Sequence, residues 1–189
     1  MDVWCAIRTY PKHALELGNP IPQEPVFFLK PSSSIIEFAQ IETCDGDVHH
    51  EIELVLKIGD EGMPSHMALG LDLTKRSVQD HLKSNGLPWA EAKAFSGSAV
   101  IGDWFEYDHR AEYSLEINGE EIQRGSLKEM SWTPGELIGK LATWAPIRKG
   151  DLLFTGTPAG VGPLMANDTV TASLYIENKC IVSHTAQCV

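Results

Sequence analysis

The sequence predicts a mainly β fold of the α+β class, and three observations carry that expectation. Apolar residues recur with period two in most of the patterned stretches, and the dipeptide Asn118-Gly119 joins alternating runs. Helical spacing appears only in two or three short segments, with no regular strand–helix–strand alternation. The last point disfavours a doubly wound parallel sheet.

In chain order, Val3 to Ile7 reads as the first strand. Thr9 to Gly18 can form one or two helical turns, opening at Pro11 and closing at Gly18-Asn19-Pro20, too short to be stable alone. Beyond the Pro-rich stretch Asn19 to Pro25, Val26 to Leu29 is strand-like. His49 to Ile58 reads as one strand, with Ile52, Leu54, Leu56 and Ile58 on one face and Glu51, Glu53, Val55 and Lys57 on the other. Near Asp72 an apolar strand hands over to a helix capped by Thr74 and running to about Ser84, with Val78 and Leu82 inward and Gly86 and Pro88 as stop signals. Tyr113, Leu115 and Ile117 alternate with polar neighbours up to Asn118-Gly119, whose tolerance of positive φ suits a two-residue hairpin. Thr133-Pro134-Gly135-Glu136 is a capping box with Pro at the first helical position, feeding Leu137, Ile138, Leu141 and Trp144 before Pro146. Leu152 to Thr155 and Thr169 to Ile176 are further strands.

A chain of 189 residues is long enough for one full core and cramped for two, so a single domain over residues 1–189 is expected. Asp plus Glu number 26 against 15 Lys plus Arg, a net charge of -11, which is the wrong sign for binding nucleic-acid backbones. No apolar run approaches the roughly 20 residues that span a bilayer, and Met1-Asp2-Val3-Trp4 lacks the basic start of a signal peptide, so no membrane association and a cytoplasmic location are expected. Cys5, Cys44, Cys180 and Cys188 lack CxxC spacing and read as free thiols.

Chemistry concentrates in a few places. Glu51 and Glu53 share a strand face with α-carbons about 6.6 Å apart, and Asp72 stands where a strand meets a helix. Three carboxylates are hard oxygen donors suited to Mg²⁺ or Mn²⁺ rather than zinc. An isolated Glu-x-Glu is weak evidence, being most often the wet face of a strand. His13 and Glu16, at i and i+3, can form a carboxylate-oriented general base. Arg76 and Gln79 are i,i+3 partners just after Asp72, and Lys93 follows in Trp89-Ala90-Glu91-Ala92-Lys93. The turn Thr155-Gly156-Thr157-Pro158-Ala159-Gly160-Val161-Gly162 is neither a P-loop nor a dinucleotide fingerprint, so no nucleotide is indicated.

Taken together, ordered blocks resemble the small members of the fumarylacetoacetate hydrolase family. The blocks are residues 10–16 (Tyr10 to Glu16), 25–31 (Pro25 to Pro31), 49–53 (His49 to Glu53), 71–80 (Leu71 to Asp80), 86–93 (Gly86 to Lys93) and 150–162 (Gly150 to Gly162), and they cover nearly the whole chain. The resemblance implies a mixed β-sandwich roll of mostly antiparallel strands, usually dimeric. It implies Glu51, Glu53 and Asp72 as ligands of Mg²⁺ or Mn²⁺, and His13 with Glu16 as a catalytic pair on an ordering lid. It further implies Lys93 as the group that stabilises an enolate, and Arg76, Gln79, Thr157 and Lys30 as substrate-binding residues. The implied reaction is hydrolysis of the C–C bond of an acylpyruvate, with oxaloacetate decarboxylation or keto–enol tautomerisation of a 2-oxo diacid as the alternative. Thr9, Lys75 and Ala94-Phe95-Ser96-Gly97 depart from the family pattern without removing a ligand or the base, so they bear on substrate choice.

Overall fold

Two sheets face each other across the main apolar core in the computed structural model, which describes all residues except Leu17, Asn19 and Ile21. Those three fall at the expected end of the first helix and in the Pro-rich stretch, outside the described residues. The larger sheet runs, in spatial order, Val26–Lys30, Val3–Ile7, Leu152–Phe154, Ile52–Ile58, Pro64–Asp72, Ala99–Ile101 and Ile35–Ile36, with Phe105–Glu106 added against Pro64–Asp72. The second sheet runs Glu120–Ser126, Glu112–Ile117, Thr169–Ile176, Lys179–Cys188 and Gln40–Ile41. Most pairings are antiparallel; the exceptions are Val3–Ile7 with Leu152–Phe154, Ile35–Ile36 with Ala99–Ile101, and Lys179–Cys188 with Gln40–Ile41. This is the mainly β sandwich-like roll expected, with four short α-helices among the described residues.

The period-two pattern explains which side chains fill the core. Ile52, Leu54, Leu56 and Ile58 join Met67, Leu69 and Leu71 in the main core, where Tyr113, Leu115, Val170, Ala172 and Leu174 meet them from the second sheet. The opposite face is not wet. Val55 and Ala68 pack there with Val3, Cys5, Leu152 and Phe154 in a second apolar cluster, so the Ile52–Ile58 strand is covered on both sides. Each such aliphatic side chain contributes roughly 1.5–3 kcal/mol by leaving water.

Local signals hold where they are purely local. Thr133 caps the helix Pro134–Ala142 with a complete capping box, and Asn118 and Gly119 take φ of 54° and 83° in the hairpin between Glu112–Ile117 and Glu120–Ser126. A second tight hairpin turn, Glu177-Asn178, has φ of 50° and 66° and carries no glycine to announce it. Three expectations need correction. The stretch from His49 to Ile58 is two strands, Val48–His50 and Ile52–Ile58, because the chain leaves the large sheet at Glu51 to form a small one with Thr74–Lys75 and Gly162–Pro163. Thr74 is therefore in a strand and does not cap the helix Arg76–Ser84. That helix start is served across the chain by Asp47, whose carbonyl accepts from Arg76 N–H at 2.9 Å and whose carboxylate accepts from Ser77 N–H at 2.7 Å. Its buried face is Gln79 and Leu82, with Val78 only half-buried. Finally, the helix Pro134–Ala142 stops short of Trp144, which lies largely exposed, edge-on to Trp4.

Candidate active site

Strand register assembles the acidic residues. Glu53 pairs with Gly70 and Ile52 with Leu71, so Asp72 lies diagonally from Glu53 on the same face, and Asp72 N–H donates to Glu51 C=O at 2.9 Å. Opposite Glu53 there is no side chain: a Cβ on Gly70 would lie 2.5 Å from Val55 Cγ2 and 2.9 Å from Phe154 Cε1, so glycine is required at this position. Glu51, Glu53 and Asp72 are only 7%, 2% and 1% exposed, and one carboxylate oxygen of each lies within 4.8 Å of the others.

Three cations balance this buried charge. Lys93, on the short helix Ala90–Lys93, bridges Glu51 Oε2 at 2.9 Å and Asp72 Oδ2 at 2.8 Å. Arg76 reaches Glu51 Oε1 at 2.8 Å, where Thr74 Oγ1 also donates at 3.1 Å. Lys30 Nζ stands 2.8 Å from Asp72 Oδ1, but its hydrogens are directed at the carbonyls of Leu73, Lys93 and Ser98. The contact with Asp72 is thus a charge contact, and Oδ1 is left without an aligned donor. Burial raises the Glu51 pKa, but Lys93 and Arg76 outweigh it and hold the carboxyl at about 2. Burial, then the neighbouring charge of Asp72, push Glu53 well above the usual range despite the Gly156 N–H that donates to it at 2.7 Å. Burial opposes the charge on Lys93, yet Asp72 and Glu51 raise its pKa. An Asp72 oxygen without an aligned hydrogen-bond donor, and a Glu53 that resists ionisation, are what a buried acidic triad shows when it is suited to a cation. The all-oxygen donor set fits a hard divalent ion.

His13 and Glu16 sit on the helix Pro11–Glu16, docked at the cleft mouth. Glu16 Oε2 lies 3.2 Å from His13 Nδ1, and both Glu16 oxygens accept from Gly160 N–H, at 3.0 and 3.2 Å. Gly160 has φ of +101°, and a Cβ there would collide with the Ile122 carbonyl, so the turn presenting this amide needs glycine. Before the helix, Tyr10 Oη meets Tyr113 Oη at 2.5 Å and donates to Ser126 C=O at 3.1 Å, tying the segment to the hairpin.

The cleft is lined by His13, Glu51, Glu53, Asp72, Arg76, Gln79, Lys93 and Thr157, so eight of the ten expected residues converge on it. Glu16 stands behind His13. Lys30 is corrected: it is buried beneath Asp72, and its ammonium is enclosed by carbonyls, so it supports a carboxylate and does not line the cleft.

Sequence reasoning missed Arg8 and Lys83, which line the cleft, and Gln123, which organises it. Gln123 lies in the Glu120–Ser126 strand, 1% exposed, with both ends of its amide engaged. Its Nε2 donates to Pro158 C=O and Thr157 Oγ1, both at 2.9 Å, and its Oε1 accepts from Ile52 N–H at 3.2 Å. A carbonyl can only accept and an amide N–H can only donate, so the amide orientation is fixed. His50 Nδ1, 2.9 Å from the same Oε1, must then carry its proton. Thr157 Oγ1, accepting from Gln123, keeps its own proton for an acceptor in the cleft. Gln123 lies 73 residues from His50 and 34 from Thr157, and only its position two residues before Gly125 in an alternating strand could have hinted at an inward side chain.

The family profile for the C-terminal region of fumarylacetoacetate (FAA) hydrolase matches residues 2–185. The chain belongs to the fumarylacetoacetate hydrolase family. Within it, the oxaloacetate tautomerase YcgM of Escherichia coli (strain K12) is 36% identical over 190 residues, covering 90% of this chain and 87% of that protein. A mitochondrial oxaloacetate decarboxylase of Dictyostelium discoideum is 33% identical over 186 residues, covering 88% of this chain and 85% of its own length. The crystal structure of a fumarylpyruvate hydrolase from Pseudomonas aeruginosa in complex with Mn²⁺ and pyruvate superposes with a TM-score of 0.90 at 30% identity, covering 100% of this chain and 89% of that one. Among the described residues no helix is long and apolar enough to cross a membrane.

Proposed function

We propose that this family member enolises small 2-oxo acids with Mg²⁺ or Mn²⁺, and that its reaction is keto–enol interconversion of oxaloacetate. The observation carrying the reading is the His13–Glu16 pair docked over the buried triad Glu51, Glu53 and Asp72. The similarity to an oxaloacetate tautomerase supports the choice of substrate.

Held by Glu51, Glu53 and Asp72, a divalent cation supplies Lewis acidity toward the oxygens of a 2-oxo acid. His13 removes the proton from the carbon next to the carbonyl. Glu16 on Nδ1 fixes the tautomer, leaves Nε2 as the base and steadies the imidazolium after proton capture. Such a base contributes about 10²- to 10⁴-fold in rate. Lys93 places its ammonium where negative charge grows on oxygen, and Thr157 donates its free proton to a substrate oxygen. Returning the proton from His13 to the other position completes the interconversion.

Hydrolysis of an acylpyruvate is the second reading, favoured by the likeness to the fumarylpyruvate hydrolase, and uses the same groups with His13 taking its proton from water. The reading also takes a cytoplasmic homodimer as the working unit, which light scattering and cellular tagging test. The deciding experiment presents oxaloacetate, acetylpyruvate and fumarylpyruvate to the protein with Mg²⁺ or Mn²⁺, following enol absorbance, pyruvate and CO₂ separately. The expected result is metal-dependent keto–enol exchange of oxaloacetate, lost in His13→Ala with metal binding retained. Faster release of pyruvate from either acylpyruvate would replace tautomerisation with hydrolysis, and no metal-dependent turnover of any of the three would overturn the reading.

A further inference from the structure

We propose that Lys83 and Arg8 form a subsite for the distal carboxylate of the substrate, which makes this cleft selective for dicarboxylic over monocarboxylic 2-oxo acids. The proposal rests on the 2-oxo acid reading and supplies what that reading leaves open, the part of the substrate far from the triad.

Charge in the cleft is segregated. At its floor the carboxylates of Glu51 and Asp72 are matched at 2.8–2.9 Å by Lys30, Lys93 and Arg76. Lys83 is different. It comes from the last turn of the helix Arg76–Ser84, half-buried in the cleft wall, and donates to Gln79 Oε1 at 3.1 Å. The same neutral oxygen already accepts from Arg76 Nη1 at 2.7 Å, so two cations crowd onto one uncharged acceptor. The remaining contact is the face of Trp89, 5.0 Å from the ammonium to the ring centroid, again without a negative charge. Among the described residues no carboxylate stands within ion-pair distance of Lys83.

Arg8 lines the same cleft from the bend after the Val3–Ile7 strand, with φ of 54°. A non-glycine residue in the left-handed region is strained, and such strain is retained where the surroundings hold a side chain in place for use. Burial first, then the charge of Arg76, draw the Lys83 pKa below its ordinary value; Asp80 opposes them, Arg8 adds a smaller lowering, and Glu51 opposes least. A half-buried ammonium that shares its acceptor with one guanidinium, in a cleft lined by a second, is relieved by an anion. The triad and Lys93 fix where the oxo end of a substrate lies, so an anion at Lys83 is a second charged group on the same molecule. A wall made to cover an apolar acyl tail would be lined with aliphatic side chains instead.

The test compares oxaloacetate with its 4-methyl monoester, which keeps the enolisable carbon and the proximal carboxylate but lacks the distal charge. With Mg²⁺ present, Lys83→Met should lower kcat/KM for oxaloacetate by about ten- to hundredfold, mainly through KM, and change the monoester value by less than about twofold. Lys83→Arg, which retains the cation, should keep most of the preference, and Lys149→Met, removing a surface charge paired with Asp60, should leave it unchanged. Calorimetry with oxaloacetate and pyruvate as probes should show the same selective loss of the diacid in Lys83→Met. Lys83→Gln gives the same comparison if Met lowers the melting temperature. Equal losses for diacid and monoester, or no loss for either, overturn the subsite while leaving the 2-oxo acid reading intact. A wild-type protein that binds neither probe with Mg²⁺ or Mn²⁺ overturns that reading, and the subsite with it.

Discussion

Replacing Gln123 with leucine removes the side chain that four groups hydrogen-bond to, and strands three of them. Leucine fills a similar volume, so the loss is one of hydrogen bonds and not of packing. The Ile52 N–H, the His50 Nδ1–H and the Pro158 carbonyl are each left in a buried setting, while the Thr157 hydroxyl loses only the N–H it accepted from and keeps its own proton to donate. A stranded buried polar group costs about 1–3 kcal/mol. Three of them at the low end give about 3 kcal/mol, offset by about 1 kcal/mol of added apolar burial at most. The expected loss is therefore about 2 kcal/mol or more, a large share of the roughly 5–15 kcal/mol that holds a domain together. Urea unfolding should show a lower midpoint with an unchanged slope. Side-chain ¹⁵N NMR should show the Nδ1-protonated His50 tautomer in the wild type and its loss in the variant. KM for the 2-oxo acid should also rise, because Thr157 loses the partner that made it a donor toward the cleft. A variant within about 0.5 kcal/mol of wild type, with the His50 tautomer unchanged, would refute the hydrogen-bond accounting.

Glu53→Gln should abolish the rise in melting temperature that Mg²⁺ or Mn²⁺ gives the wild type, where saturation at about a hundred times Kd is worth roughly 2.7 kcal/mol; an undiminished shift would remove Glu53 from the metal site. Gly160→Ala, which forces a Cβ onto the Ile122 carbonyl at φ of +101°, should loosen Glu16 and lower kcat by about tenfold or more while sparing the metal-induced shift; unaltered kcat would mean that the Gly160 amide does not position the pair. Glu51 is held at about 2 against an ordinary 4.5, a depressed value, so its stabilising contribution is complete above pH 4.5 and disappears as pH falls through about 2. In chelator, acid unfolding of the wild type should carry that slope, and Glu51→Gln should lack it.

The residues alone determined a good deal. Hairpin formation at Asn118-Gly119, the capping box at Thr133 and the inward face of Ile52, Leu54, Leu56 and Ile58 depend on backbone preferences and side-chain alternation within a few positions. The identities of the acidic triad and of the His13–Glu16 pair were legible for the same reason, through local spacing strengthened by a family pattern spread along the chain. What the sequence left undecided concerns partners that come together only when strands choose their neighbours. The break at Glu51 arises because Val48 and His49 pair with Lys75 and Thr74, an attraction from another part of the chain that overrode a pattern continuous with one long strand. Lys30 under Asp72, Gln123 between His50 and Thr157, and Lys83 crowded against Arg76 depend likewise on register and crossing between distant segments. A side chain's burial and charge environment are properties of everything packed around it. Tertiary structure therefore decided which lysine supports a carboxylate, which balances the triad, and which is left facing the cleft without an acidic partner.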